Sequence, residues 1–277
     1  QDTYNELTVS FNDSCDLVVR AYDEGVAYHF ATRLNGEITI ISEDAIFNFT
    51  STPTIYYPEC DANYSGETDQ SGRTHQVHQG YRNFERLYKV YKGPLEIPYE
   101  RFAVSPVLYE YPDSPYKVVV TESNTYDYPA LYMESNGYNS MRGKWANYPK
   151  ETIDSDPSNP YYWYSNHLVV TRENYIAKTD GNRSFPWRVI IVSEDDKSLL
   201  NNELVYKLAD PCRLTDTSWI QPGKSAWEWW HKAVLEGVDF PSGNKQLSLQ
   251  LYKYYIDWAS KNLSLIHISE PTRLGMI

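Results

Sequence analysis

The first three quarters of the chain consist mainly of short runs in which apolar and polar residues alternate. Runs rich in Tyr, Val, Ile, Thr and Phe recur between turn residues as far as about residue 208. Alternation with a period of two residues is typical of strands that bury one face. Since few stretches here have the period of a helix, the pattern predicts a mainly β region, either a sandwich or a barrel. The clearest predicted strands are LTVSF, DLVVRAY, GVAYHFAT, EITII, YKVVVTES, ALYMES, NHLVVT and FPWRVIIVS.

The pattern changes near Ser193. Residues 194–212 are predicted to form a short helix, a strand and a segment that leaves the β region. SAWEWW (residues 225–230) is predicted to form a further strand. A helix is predicted next, because apolar residues follow one another at i, i+4, i+7, i+8 and i+11 and so share one helix face. These residues are Leu247, Leu251, Tyr254, Tyr255 and Trp258.

This order of elements predicts a β domain over residues 1–210, a linker over 211–224 and a βα unit over 225–262. A strand followed by a helix is the first βα unit of a larger layered structure, and one such unit cannot bury both of its faces. We therefore expect Leu251, Tyr255 and Trp258 to be exposed, or only loosely docked on the β domain.

Composition and charge narrow the classes of partner. The chain has 277 residues, a formal net charge of -12 and 26 tyrosines. An acidic surface repels phosphate backbones, so nucleic acid is a poor candidate partner. No run of 18 apolar residues is present, which predicts no membrane span, and QDTYNELTVSF at the start does not have the pattern of a signal peptide.

The last residues, Leu263–Ile277, differ in character from the rest of the chain. LSLIHISEPTR (263–273) resembles the translation of a sequencing adapter, the transposase mosaic end used in library preparation, with no mismatch. We therefore expect residues 263–277 to be an artefactual tail and leave them out of the predicted fold. The alternative is a genuine strand, LSLIHIS, followed by a turn.

The stretch YKLADPCRLTDTSWIQPGKSAWEWWHKAVLEGVDF (residues 206–240) resembles the domain junction of glycoside hydrolase family 97, the bacterial α-glucosidases and α-galactosidases. Supporting similarities are YNELTV, RAYDEGVAYHF, FNFT, VVVTES and PWRVIIVSED, so the resemblance covers nearly all of residues 1–262. It implies a mainly β fold, a β-super-sandwich followed by the first βα unit of a truncated (β/α)8 barrel.

The resemblance also implies a function. A member of this family is expected to be a calcium-dependent, exo-acting α-glycosidase that hydrolyses α-glucosides or α-galactosides of oligosaccharides, and here α-glucosides are favoured. Inverting members use two glutamates on late barrel strands and retaining members an aspartate on a middle strand, and neither set lies in this sequence. The chain alone is therefore expected to be inactive. The resemblance further implies a periplasmic or secreted protein that is a monomer or dimer.

Three residues are candidates for the site. Glu122, at the end of the strand in VVVTES, matches a family glutamate that ligates calcium, with the remaining ligands supplied by the barrel; the alternative is a solvated glutamate at a strand end. Trp229 and Trp230 lie nearest the end of SAWEWW, where the resemblance suggests that an aromatic side chain lines a sugar pocket. For both tryptophans the alternative is a position in the barrel core.

A second hypothesis remains open. The chain is then a stand-alone carbohydrate-binding β-sandwich, with its Tyr-rich loops as the binding platform. The βα unit at 225–262 argues against this hypothesis, because such a unit has no role in a sandwich alone. A surface-lattice or adhesion protein is a third reading, which accounts for the acidic, Tyr-rich composition but not for the junction sequence.

Overall fold

A computed structural model describes residues 2–11, 13–59, 88–98, 101–154, 167–220, 223–227, 234–243, 248–262 and 264–268. Contacts divide the chain into two units, Gln1–Pro211 and Cys212–Ile277. The first unit is mainly β, as the alternating pattern predicts. No helix within the described ranges is both long and apolar enough to cross a membrane.

The first unit contains a large antiparallel sheet. Among the described residues it has nine strands, in the order β1-β2-β3-β15-β9-β8-β5-β6, with β14 also paired to β3. These strands are β1 (Asn5–Phe11), β2 (Cys15–Tyr22), β3 (Gly25–Ile40), β5 (Thr54–Pro58), β6 (Tyr88–Tyr91), β8 (Val107–Glu110), β9 (Lys117–Ser123), β14 (Ala177–Ser184) and β15 (Trp187–Ser193).

A smaller sheet lies in the same unit. Its four described strands have the order β4-β11-β10-β7. They are β4 (Ile46–Asn48), β7 (Phe102–Val104), β10 (Tyr132–Ser135) and β11 (Ser140–Lys144). A separate antiparallel pair is formed by β12 (Pro149–Asp154) and β13 (His167–Arg172).

The main core lies between the two sheets. Ile55, Tyr109 and Val120 of the large sheet are buried together with Met133 and Met141 of the small sheet. This arrangement is a β-sandwich, because side chains on the inner faces of two sheets share one core. It matches the predicted fold class, a mainly β sandwich.

The opposite face of the large sheet is covered by two short helices, α1 (Asp196–Leu200) and α2 (Leu204–Leu208). Leu204 and Leu208, four residues apart and therefore on one helix face, are buried against Val189 and Ile191 of β15. The prediction of a strand after the short helix was therefore wrong. The burial of Leu204 and Leu208 at helical spacing overrides the β propensity of the valine and tyrosine between them.

The second unit has a strand–helix–strand order. The strand β16 (Lys224–Trp227) pairs in parallel with β17 (Ser264–Ile268), and α3 (Leu249–Lys261) lies between them in the sequence. The side chain of Ser248 accepts a hydrogen bond from the N–H of Leu251 at 3.1 Å, which caps the start of α3. The helix that the spacing predicts is therefore present.

The exposure predicted for this helix was wrong in part. Leu251 and Tyr255 are buried, in contact with Leu235 and Phe240, whereas Trp258 is half exposed. The buried stripe follows Leu251, Tyr255 and Ala259, because residues 234–243 supply the partner surface within the second unit.

The structure also places a strand in the expected tail. Residues 264–268 have a parallel partner in β16, so this segment has secondary structure. The adapter interpretation concerns the coding sequence of residues 263–277 and stays a prediction.

Candidate functional site

Glu122 lies on β9, near the middle of the large sheet. Its partner in register on the neighbouring strand β15 is Arg188. Residues paired in this way point to the same side of a sheet, and Val120, two residues earlier on β9, belongs to the core between the sheets. Glu122 is therefore on the inner face of the sandwich, and only 9% of its side chain is exposed.

Both carboxylate oxygens of Glu122 accept hydrogen bonds. The N–H of Leu131 donates to Oε1 at 2.8 Å, and Nη1 of Arg188 donates to Oε2 at 2.9 Å. These contacts fix the rotation of the carboxylate. Glu122 is therefore not the solvated glutamate at a strand end that the sequence left as an alternative.

Arg188 occupies the centre of the site. Its side chain is 1% exposed, and it binds a second carboxylate, that of Glu43, through two hydrogen bonds of 2.7 Å from Nε and Nη2. The flat guanidinium also lies over the ring of Trp145, 4.9 Å from its centre. A buried cation of this kind is costly unless it is paired, and here two carboxylates accept hydrogen bonds from its three nitrogens.

Glu43 lies in the segment between β3 and β4. Besides the two bonds from Arg188, its Oε2 accepts a hydrogen bond from the hydroxyl of Tyr128 at 2.9 Å. Burial and the neighbouring Glu43 carboxylate raise the pKa of Tyr128 well above its ordinary value, so the hydroxyl remains a donor. We call Glu43, Glu122, Arg188 and Tyr128 the arginine cluster.

The arginine cluster carries a net negative charge when its acids are ionised, since two carboxylates share one guanidinium. Burial raises the pKa of Glu122, although the Leu131 N–H and Arg188 act in the opposite direction. Burial tends to lower the pKa of Arg188, but the hydrogen bonds to Glu43 and the two negative charges raise it overall. The guanidinium therefore stays charged, and burial is the main effect that disfavours the ionised form of Glu122.

The described residues do not form a calcium site by themselves. Calcium takes six to eight oxygen ligands. Glu122 and Glu43 already bind Arg188, and no group of three or more His, Cys, Asp or Glu side chains within the described ranges is arranged to hold a metal ion. A carboxylate offers about four lone pairs, so Glu122 has about two left beside its two hydrogen bonds.

The other two predicted site residues, Trp229 and Trp230, lie outside the described residues. Their neighbour Trp227 ends β16.

Sequence reasoning missed Arg188, Glu43 and Tyr128. Arg188 had a signal, because it interrupts an otherwise apolar run, WRVIIVS, in a strand that is buried on both faces. A charged residue in such a run must find a partner inside the protein. Glu43 and Tyr128 had no signal of this kind, because both lie in connecting segments rich in polar residues.

Known proteins resemble this chain in sequence. A retaining α-galactosidase of Bacteroides thetaiotaomicron is 35% identical over 260 residues, which are 94% of this chain and 37% of that protein. A probable retaining α-galactosidase of Streptomyces bingchenggensis is 36% identical over 83 residues, 30% of this chain and 12% of that protein. The chain thus spans little more than a third of the first relative's length.

Solved structures resemble it in fold. A glycoside hydrolase family 97 enzyme from Pseudoalteromonas sp. strain K8, in complex with acarbose, matches with a TM-score of 0.60 at 16% identity, covering 94% of this chain and 37% of that one. A β-arabinopyranosidase matches with a TM-score of 0.56 at 15% identity, covering 94% and 40%. At these identities the likeness shows the fold alone.

The family model described as the N-terminal region of glycosyl hydrolase 97 matches residues 1–211. This range coincides with the first unit of the structure, the sandwich that holds the arginine cluster. The chain therefore belongs to glycoside hydrolase family 97.

Proposed function

We propose that the full-length protein is an exo-acting α-glycosidase that hydrolyses α-galactosides. The observation that carries this proposal is the identity to a retaining α-galactosidase of 35% over nearly the whole chain. The family resemblance of the sequence favours α-glucosides instead, so the two sugars are the alternatives to test. The names of both sequence relatives support the galactoside.

We propose that the reaction needs carboxylates from outside this chain. Glycosidic hydrolysis requires two carboxyl groups that flank the bond, one of them protonated as the general acid. The family resemblance assigns these groups to later strands of the barrel. In support, the two carboxylates of the arginine cluster share one guanidinium, an arrangement that leaves neither free to protonate a leaving group. The second unit is proposed to be the start of that barrel, and residues 1–277 alone are proposed to be inactive.

We propose that Glu122 supplies one oxygen ligand to a calcium ion whose other ligands come from the barrel. Its spare lone pairs and the net negative charge of the arginine cluster support this role. The calcium role of Glu122 itself comes from the family resemblance. A periplasmic or secreted location and a monomeric or dimeric state are proposed on the same basis.

The experiment is an assay of the full-length enzyme, expressed from the complete gene read again from source DNA by a method without the transposase adapter. We expect hydrolysis of 4-nitrophenyl α-galactoside to exceed that of the α-glucoside, and NMR of the first product anomer to report retention. Residues 1–277 serve as the matched control and are expected to be inactive. Faster cleavage of the α-glucoside would favour the α-glucosidase that the sequence predicts. If the enzyme cleaves neither substrate, the proposed function is wrong.

The calcium proposal has its own test. Terbium, which replaces calcium and luminesces near aromatic residues, is titrated into the full-length protein and into its Glu122→Gln variant. We expect the wild type to bind terbium more tightly than the Glu122→Gln variant does. The control is Glu110→Gln, because Glu110 lies on β8 of the same sheet and pairs with Lys117 near the surface. Equal terbium affinity in wild type and Glu122→Gln would contradict the role of Glu122 and leave the hydrolase proposal intact.

A further inference from the structure

A cavity of about 660 Å³ lies in the first unit beside the arginine cluster. It is formed by the long strand β3, the segment that follows it and the chain on either side of Phe185. Cavities that bind small molecules have volumes of about 300–1,000 Å³, so this one has room for a ligand of one or two sugar rings. Glu122 is not part of its wall, although Arg188 and Glu43 are.

Aromatic side chains make up much of the wall. Phe30, Tyr128 and Phe185 contribute rings, and Tyr128 and Phe185 are packed edge to face with their ring centres 5.5 Å apart. Phe30 is 38% exposed. Aromatic faces provide apolar contact area of fixed geometry, which suits a flat, ring-shaped ligand.

The polar groups of the wall are mainly neutral. Tyr28, Ser42 and Thr32 bring hydroxyl groups to it, and the Thr32 hydroxyl is buried without a hydrogen-bond partner among the described residues. Asp44 adds a carboxylate from an exposed position. Hydroxyl groups both donate and accept, and a carboxylate accepts, so this set matches a ligand that presents several hydroxyl groups.

The charged groups of the cavity wall disfavour an anionic ligand. The arginine cluster on one side of the cavity has one positive and two negative groups, and Asp44 adds a further negative charge. Each of the three guanidinium nitrogens of Arg188 already donates to Glu43 or Glu122, so its positive charge is balanced by two carboxylates. A phosphorylated or carboxylated ligand would meet repulsion with no compensating pair.

We propose that this cavity is a binding site for a neutral saccharide of one or two rings. The sugar's apolar face contacts the rings of Phe30, Tyr128 and Phe185, and its hydroxyls bond Tyr28, Ser42 and Asp44. The site is complete within the sandwich unit, so binding requires neither calcium nor a barrel and does not depend on the proposed catalytic activity.

The test uses residues 1–277 with methyl α-galactoside, melibiose and maltose as probes, measured by saturation-transfer NMR and by titration. We expect saturable binding of at least one of them with a Kd of about 1 mM, the affinity of a small, open site. Phe30→Ala should weaken that binding about tenfold, and Tyr28→Phe, which removes only a hydroxyl, should weaken it less. Phe11→Ala is the control, because Phe11 is 49% exposed on the same sheet and lies outside the cavity wall.

Three outcomes would overturn the proposal. The first is that no probe binds saturably up to about 20 mM. The second is that the Phe30→Ala and Phe11→Ala variants bind the probes with equal affinity. The third is that choline, a cation that also favours aromatic walls, binds more tightly than the sugars. Circular dichroism of each variant establishes that it is folded. Failure here leaves the hydrolase assignment untouched, since that is tested by turnover of the full-length enzyme.

Discussion

Two arginines in the same sheet make the same kind of contact in opposite surroundings. Arg188 on β15 binds Glu43 through two hydrogen bonds, and its side chain is 1% exposed. Arg33 on β3 grips Asp16 of β2 in the same two-pronged way, with Nη2 and Oδ1 3.0 Å apart, and is 47% exposed. Both arginines bind a carboxylate through two nitrogens, and the exposure of their guanidinium groups differs most.

Burial changes what each pair does for the protein. Water reaches the Arg33 guanidinium, so this pair is expected to add less to stability than a buried one. Arg188 has no such alternative, because leaving its carboxylates unpaired inside the sandwich is costly. The buried pair therefore behaves as a fixed part of the fold, and it is also the part that holds Glu122 in place.

The strongest way to break this comparison is to remove each arginine. Arg188→Met should lower the free energy of unfolding by about 3–5 kcal/mol, because Glu43 and Glu122 lose their shared partner while staying buried. Urea unfolding of residues 1–277, followed by tryptophan fluorescence, measures the loss. Arg33→Met is the matched control and should lower the unfolding midpoint much less, because water reaches its guanidinium. Equal losses in the two variants would show that burial is not what separates the pairs.

Smaller substitutions in the arginine cluster remove one polar or charged group and keep the shape of the side chain. Glu43→Gln leaves Arg188 with a single carboxylate and should cost about 1.5–3 kcal/mol, as for other hydrogen bonds to charged groups. Tyr128→Phe, which removes only the hydroxyl bond to the Glu43 carboxylate, should cost about 1.5 kcal/mol, the lower end of the same range. The same urea titration ranks the two. A larger effect for Tyr128→Phe would mean that the hydroxyl, and not the guanidinium, holds Glu43.

Salt sharpens the contrast further. Double-mutant cycles give the coupling free energy of each pair at low salt and at about 1 M salt, where the Debye length is about 3 Å. The Arg33–Asp16 coupling should vanish at high salt, and the Arg188–Glu43 coupling should persist because solvent ions do not reach it. A buried coupling that falls in step with the exposed one would contradict the closed environment of Arg188.

The smallest effect concerns acid pH. Arg33 and the hydroxyl of Ser10 lower the pKa of Asp16 from 3.8 to about 2. A carboxyl whose pKa is lower in the folded state stabilises that state above its unfolded pKa, and the stabilisation is lost as pH falls from 3.8 toward 2. Asp16→Asn should therefore flatten the stability profile only in that window. An unchanged profile would show that the pair is not formed in solution.

Much of the fold was predictable because the signals are local. The runs of Val and Ile in FPWRVIIVS and YKVVVTES predict the central strands β15 and β9, and the spacing of Leu251 and Tyr255 predicts α3. The predicted strand in LVYKL was wrong, since five residues with two leucines four apart fit a buried helix as well as a strand. Such a short run is settled by what it packs against, here β15 and β9.

The site was predictable only in one residue. Glu122 stands out through the family resemblance of VVVTES, but the sequence placed it at a solvated strand end or on an ion. Its position on the inner face follows from the pairing of β9 with β15, which brings Arg188 opposite it. Trp229 and Trp230 stay predictions.

By itself the sequence determined the strand-rich region, the helix near its end and the family, because periodicity and motifs are written within a few neighbouring residues. Only the tertiary structure decided the arginine cluster and the cavity beside it. Arg188 lies 145 residues from Glu43 and 66 from Glu122 in the sequence. Contacts over such separations depend on strand order and register across the whole sandwich, which set the partners that a buried charge can reach.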